Sequence, residues 1–269
     1  MGVQGGWPPA MNIVVLVKQV PDTATERKLS SDDKTLDRAA SDGVINELDE
    51  YAIEEALLLR EKHGGEVTVL TMGPDQATDS IRKALSMGAD KAVHVNDEAL
   101  HGSDALQTAY ALSRALGRME FDLVVLGSES TDARTGVVGA ALAEYLELPQ
   151  LTLAGKVDIE GRAIKVQRLT DYGYDVVEAQ LPAVVSVVEK INEPRYPSFK
   201  LIMQAKKKPV EKLTIADAEI DAAKVGLANA TTETVDFAPA PPRAAGTIVK
   251  DEGDGGTKVA DFLAEKKFV

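Results

Sequence analysis

Four short runs rich in β-branched residues, at 12–17 (NIVVLV), 66–71 (EVTVLT), 91–95 (KAVHV) and 122–126 (DLVVL), constrain this chain more than any other feature. Near-continuous apolar runs of that length read as strands covered on both faces. Stretches of helical periodicity separate them. Over 47–62, apolar residues recur at Leu48, Ala52, Ala56 and Leu59, and Gly64-Gly65 ends the run. Over 75–87, Ile81, Ala84 and Leu85 share a face and Gly88 is the stop. The spacing predicts further helices over 104–116, closed by Gly117, and over the small-residue stretch 135–146. Strand–helix alternation of this kind predicts an α/β fold, with a doubly wound parallel sheet, right-handed crossovers and helices on both faces.

Beyond residue 151 the rhythm changes. Strand-like runs at 163–169, 174–180 and 183–187 are separated only by short turns, which predicts an antiparallel addition to the sheet. Residues 191–208 are basic and carry prolines. From residue 229 the chain turns to Thr, Ala, Pro and Gly, with APAPP at 238–242, and ends in an amphipathic stretch at 258–267. A short helix on a long tether cannot bury its apolar face unaided, so it is expected to dock on another surface. The expected organisation is a flexible extension over 1–10, one α/β domain over 11–228, and an extended C-terminal arm over 229–269.

Composition narrows the chemistry. The chain has no cysteine, which removes disulfides, thiolate metal sites and cysteine nucleophiles. Three histidines, His63, His94 and His101, give little for an imidazole metal centre. A formal charge of −13 opposes nucleic-acid binding. No apolar run is long enough to span a bilayer, and the first ten residues lack the basic start and apolar core of a secretory leader; the expectation is a cytoplasmic protein. The P-loop pattern is missing, and strand one runs into Lys-Gln-Val-Pro-Asp rather than a G-x-G-x-x-G turn. There is no nucleophile elbow and no HExxH. Glu54-Glu55 is expected to be solvated charge on the outer face of its helix. No active site of the chain's own is expected.

In an open parallel sheet, ligands sit beyond the carboxyl ends of the strands. The candidate positions are therefore Lys18 to Asp22, then Met72 and Gly73, and above all the loop after DLVVL. That loop supplies Gly127, Gly136 and Gly139, hydroxyls at Ser128, Ser130, Thr131 and Thr135, and Arg134 ahead of a helix start. Glycines let backbone amides approach a phosphate, and a helix N-terminus attracts anions. An ordinary Ser/Thr-capped helix behind a polar loop fits the same residues. Residues 193–208 likewise admit two readings. One is a docking site in which Arg195, Lys200, Lys206, Lys207 and Lys208 ring Phe199, Leu201, Ile202 and Met203. The other is a Lys-rich helix that lays its stems over its own core.

Together these pieces resemble the beta subunit of electron transfer flavoproteins, of the bacterial AMP-binding type. The motifs occur in order: NIVVLVKQVPDT, NELDEYAIEEAL at 46–57, GPDQATDSIRKALSMGADKAVHV at 73–95, DLVVLGSESTDARTG at 122–136, and LPAVVSVVEKINEPRYPSFKLIMQAKKK at 181–208. The resemblance implies a Rossmann-like adenine-nucleotide fold and an electron-carrying, non-catalytic subunit. Its alpha-subunit partner would hold the redox-active FAD, and this chain would hold a structural AMP. The AMP site it implies is lined by Leu16, Asn46, Glu47, Leu48, Asp49, Met72 and the loop residues Gly127, Ser128, Thr131, Asp132, Ala133, Arg134, Thr135, Gly136, Val137 and Val138. Leu48 and the segment near Thr23 correspond to positions that approach the partner's flavin. The resemblance also implies a recognition segment for acyl-CoA dehydrogenases or similar flavoprotein donors of fatty acid β-oxidation. It comprises Glu193, Pro194, Arg195, Tyr196, Phe199, Ile202, Met203, Lys206 and Lys207, with Phe199 as the anchor. Relatives that bind a second FAD and bifurcate electrons carry Gly-Asp, Thr-Ala-Gln and Gly-Pro patterns in the loop; TDARTGVVGA departs from these and points to AMP. A stand-alone universal-stress-type nucleotide binder would leave residues 193–269 without a use. An adenylyl-transferring enzyme would need a pyrophosphate motif that the sequence lacks.

Overall fold

The computed structural model of the chain describes residues 10–238, 241–242, 246 and 248–269. The extension expected over 1–10 lies outside the described residues except for Ala10. Two compact units are present, 1–234 and 235–269.

The first unit is built on a sheet in the order β11-β5-β4-β1-β6-β10-β7-β8-β9. Its strands are β1 (Met11–Leu16), β4 (Gly65–Met72), β5 (Lys91–Val95), β6 (Leu123–Gly127), β7 (Gln150–Glu160), β8 (Ala163–Thr170), β9 (Gly173–Gln180), β10 (Ala183–Val187) and β11 (Val210–Leu213). A separate antiparallel ribbon joins β2 (Gln19–Pro21) to β3 (Gly43–Ile45). The helices are α1 (Glu47–His63), α2 (Thr78–Met87), α3 (Ala105–Leu116), α4 (Val138–Leu146) and α5 (Phe199–Ala205), with α6 (Gly255–Glu265) in the second unit.

The near-continuous apolar runs work as expected of doubly covered strands, and period two sorts their residues between two cores. Ile13, Val15, Val67, Val69, Val125 and Val185 face Ala52, Ile53 and Leu57 of α1 and Ile81 and Leu85 of α2. The intervening Val14, Leu16, Leu70, Val124, Leu126 and Val184 face Ala109, Leu112 and Leu116 of α3 and Leu142 and Ala143 of α4. A one-residue slip of any central strand would exchange its two sets.

The C-terminal half of the sheet differs from the sequence reading. β8 and β9 are antiparallel, as expected. β10 is not part of that addition. It lies between β6 and β7 and runs parallel to both. All five of its residues are buried, which is the signature of an inner parallel strand rather than of a hairpin edge. β7 and β11 were not anticipated. β7 mixes Leu151, Ala154, Val157 and Ile159, all buried, with Lys156 and Asp158, which pair with each other, so its pattern reads weakly. β11 completes the far edge by pairing with β5.

α3 opens on a capping box, in which Asp104 accepts from the Gln107 amide and Gln107 Oε1 accepts from the Asp104 amide. The second carboxylate oxygen of Asp104 accepts from the Thr231 amide and hydroxyl, both at 2.7 Å, and so ties residues 231–232 back to the domain. In the second unit, α6 begins at Gly255 rather than at residue 258. None of its residues is buried, and Val259 and Phe262 are exposed. No helix among the described residues is long and apolar enough to cross a membrane.

Candidate functional site

β1 lies between β4 and β6, so the chain winds outward in both directions from β1 and the strand order reverses there. The carboxyl ends of β1 and β6 therefore flank the topological switch point, the place where open α/β sheets generally take a ligand. Lys18 follows β1, and the loop 128–137 follows β6.

α1 holds this loop in place. Asn46 precedes α1, and a side chain of its type would ordinarily cap the helix, but it makes no cap bond. Instead its Nδ2 donates to the Glu129 carbonyl at 3.0 Å and to Asp49 Oδ1 at 2.9 Å, and its Oδ1 accepts from the Thr131 amide at 3.0 Å. Asp49 Oδ2 accepts from the Lys18 amide at 2.8 Å, and the carboxylate also receives the Gly127 amide. Both side chains are buried. One Asn–Asp pair thus fastens the ends of β1 and β6 and the start of the loop to the first turn of α1.

Gly127 is required by this approach. A Cβ there would lie 2.6 Å from Asp49 Oδ1 and 2.9 Å from the Leu48 carbonyl carbon. Across the loop, Lys18 Nζ donates to Asp132 Oδ1 at 2.7 Å and to Ser130 Oγ at 3.2 Å. The Arg38 guanidinium stands 3.7 Å from Asp132 Oδ2. Burial pushes the Asp132 carboxyl up, but Lys18, the Ser130 hydroxyl and Arg38 together outweigh it and the net shift is downward. For Lys18 burial dominates, and its pKa is lowered despite Asp132.

α4 starts at Val138, not at residue 135. Arg134 (φ 50°) and Gly136 (φ 63°) are left-handed, and the Arg134 amide bonds back to the Ser130 carbonyl at 2.8 Å, so residues 132–137 curl as a loop before the helix begins. No side chain caps α4, and its first turn has no acidic residue. Its leading amides are therefore open to an anion. In the same loop, Thr131 Oγ1 is buried and has no hydrogen-bond partner.

Leu16 and Met72, at the ends of β1 and β4, face the same side of the sheet as Leu126 and α4. Ser128 is held by its amide on the Val187 carbonyl. Ala133, Arg134, Thr135, Gly136 and Val137 are exposed around the loop, and Val138 is half-buried. Glu47 is exposed and Leu48 half-buried. The strand ends single out Lys18 and Ser130 as positions but not the bond between them. Arg38, from the irregular segment between β2 and β3, left no sequence signal. His94 is fully buried, with Nε2 2.9 Å from the Gly73 carbonyl; burial lowers its pKa. Among the described residues, no group of His, Asp and Glu side chains is arranged to hold a metal ion.

Burial pushes the Asp49 carboxyl up to about 7, against hydrogen bonds from Asn46, Lys18 and Gly127 that favour its ionised form. Because the folded pKa lies above the unfolded one, its contribution to stability is full below about 4 and is lost as pH rises through 7. Wild type is therefore expected to lose stability relative to Asp49→Asn between about pH 4 and 7, with a slope of at most about 1.4 kcal/mol per pH unit, and to level off above that. Urea unfolding of both proteins across that range measures it, and parallel curves would contradict the assignment.

The segment after β10 corrects the expectation for Glu54 and Glu55. Both are buried, because residues 192–195 cover them. Arg195 donates Nε and Nη2 to the two oxygens of Glu54, each at 2.8 Å, and Nη1 to Glu61 at 2.7 Å. Asn192 Nδ2 donates to the Tyr51 carbonyl and to Glu55. Burial raises the Glu55 pKa against that bond. Arg195 is thus committed within the chain. α5 is held to α2 by Arg82, which donates to the Ala205 and Lys208 carbonyls, and by Lys208, which donates to the Leu85 and Ala89 carbonyls. Phe199, Ile202 and Met203 remain exposed on one face of α5, with Phe199 at 79%. Glu193, Tyr196, Lys206 and Lys207 are also exposed, and Pro194 is half-buried.

The electron transfer flavoprotein domain family matches residues 33–218. The chain belongs to the electron transfer flavoprotein family. It is 56% identical over 264 residues to the electron transfer flavoprotein subunit beta of Mycobacterium tuberculosis, covering 96% of this chain and 99% of that one. It is 38% identical to the protein of the same name from Megasphaera elsdenii, over 95% and 97% of the two chains. With that of Clostridium acetobutylicum it shares 35% identity, over 96% and 100%.

Proposed function

We propose that this chain is the beta subunit of a two-chain electron transfer flavoprotein. It holds AMP in the switch-point crevice and supports the FAD of an alpha-subunit partner. The observation that carries this reading is the loop 127–137, clamped by Asn46 and Asp49 with the start of α4 uncapped and the Thr131 hydroxyl buried without a partner. Those groups fit a phosphate, and Leu16 and Met72 supply an apolar wall for adenine. FAD supplies the redox chemistry when bound in the partner. The residues of this chain fasten the nucleotide loop, and Leu48, lying against Gly127, is the side chain that approaches the partner's flavin.

The exposed Phe199, Ile202 and Met203 are the apolar anchor for acyl-CoA dehydrogenase-type donors, and Lys206 and Lys207 meet acidic donor surfaces. Arg195 acts behind this face, by fixing the segment that leads into α5. In the C-terminal unit, α6 carries Val259 and Phe262 unburied, and an eleven-residue helix is marginal alone, so it docks on the partner chain.

Co-expression with the partner is expected to give a yellow complex from which AMP is extracted with this chain, whereas the chain alone is colourless. A second FAD in the extract would overturn the AMP assignment. Phe199→Ala is expected to slow reduction by donor dehydrogenases by about tenfold with flavin content intact. Unchanged donor kinetics would remove the docking assignment.

A further inference from the structure

We propose that Asp132 determines how much phosphate the crevice accepts, by holding the Lys18 ammonium away from the ligand. This deepens the nucleotide reading above and rests on it. Lys18 comes from the end of β1, directly at the switch point, where a cation would serve a polyphosphate best. Its Nζ is instead committed to Asp132 Oδ1 at 2.7 Å and Ser130 Oγ at 3.2 Å, both within the loop after β6.

The Asp132 side chain is only 3% exposed, and its other oxygen faces Arg38 at 3.7 Å. A nucleotide in the crevice therefore meets Lys18 as half of a neutral pair, beside a carboxylate that water barely screens. The loop is folded, with the Arg134 amide on the Ser130 carbonyl, and Asp132 lies inside that turn, ahead of the start of α4 at Val138.

The sign of the effect depends on charge alone. An anion's energy in a fixed field scales with its charge, and ADP carries more negative charge than AMP. A buried carboxylate in the loop therefore disfavours each added phosphate. The main-chain amides of α4 offer donors to one phosphate without help from Lys18, and the bond to Asp132 withholds the Lys18 ammonium from a second. Asp132 is in this sense a specificity-determining residue, and Ser130 keeps the pair in register.

The test uses the assembled complex, stripped of nucleotide and titrated with AMP and with ADP by calorimetry. Wild type is expected to favour AMP. Asp132→Asn keeps the side-chain shape while removing the charge and freeing Lys18, and it should shift the AMP-to-ADP affinity ratio about tenfold toward ADP. Lys18→Gln leaves the carboxylate less compensated and should shift the ratio the opposite way. General damage to the fold would weaken both nucleotides together and leave the ratio where it was. A ratio within about twofold of wild type in both variants overturns the role of Asp132. If the wild-type complex binds neither nucleotide, the crevice itself has been misassigned and the proposal falls with it.

Discussion

Gly127→Ala is expected to cost about 3 kcal/mol of stability and to empty the nucleotide crevice. The new methyl would sit 2.6 Å from Asp49 Oδ1, 2.8 Å from Leu48 Cβ and 2.9 Å from the Leu48 carbonyl carbon. Two of these atoms cannot move aside, because Asp49 is fixed by Asn46 and the Lys18 amide, and the Leu48 carbonyl carbon belongs to the backbone of α1. Relief requires α1 to retreat from the end of β6. That would break the bonds from Asn46 to the Glu129 carbonyl and the Thr131 amide. A lower urea midpoint together with loss of extractable nucleotide from the complex would bear this out. Gly161→Ala is the useful contrast. Gly161 is a turn glycine where a Cβ meets nothing within 4 Å, and the cost comes only from its φ of 61°. It should lose about 1 kcal/mol and keep its nucleotide. Equal behaviour of the two variants would show that the close approach at Gly127 is not what matters.

Arg195→Met is expected to destabilise the chain by about 2–3 kcal/mol, toward the lower end of what breaking a buried ion pair costs. Glu54 is almost fully buried and loses both guanidinium bonds at once, keeping only that from the Arg195 main-chain amide, while the 30% exposure of the Arg195 side chain means that water already screens part of the pair. Glu61 is exposed, and its bond adds little. The double variant Glu54→Gln, Arg195→Met removes the stranded charge and should recover about half of the loss. Thermal or urea unfolding of the three proteins measures the coupling directly. The substitution should also slow donor reduction, because residues 192–198 lead into α5, while Arg82 and Lys208 still hold the far end of that helix to α2. Flavin content should stay intact. A double variant no more stable than Arg195→Met would show that the pair is not the origin of the effect.

Much of the proposed nucleotide site was legible in one dimension because the rule behind it is local. Strand runs such as NIVVLV and DLVVL end where the sheet ends, and the residues after them must lie on its carboxyl edge. Gly127, Ser128, Thr131 and Asp132 follow from that alone. The start of α4 was misread because Thr135 and Gly136 look like helix-entry residues. Only the backbone tells that Arg134 and Gly136 are left-handed. Asn46 illustrates the opposite case. Its type and place predict a cap, yet its amide finds better partners 83 and 85 residues away.

The sequence by itself determined the alternation of strands and helices, the two-faced core and the carboxyl-edge loop. Each of these depends on periodicity or on residue type within a few positions. Only the tertiary structure decided that β10 inserts parallel between β6 and β7, that Arg195 buries Glu54 and leaves Phe199 outside, and that Lys18 is bound by Asp132. The two ion pairs join residues more than a hundred positions apart, and the β10 pairings with β6 and β7 reach across several tens of positions. No local pattern encodes them, because the energy of a buried charge or an inner strand depends on what the rest of the chain packs around it.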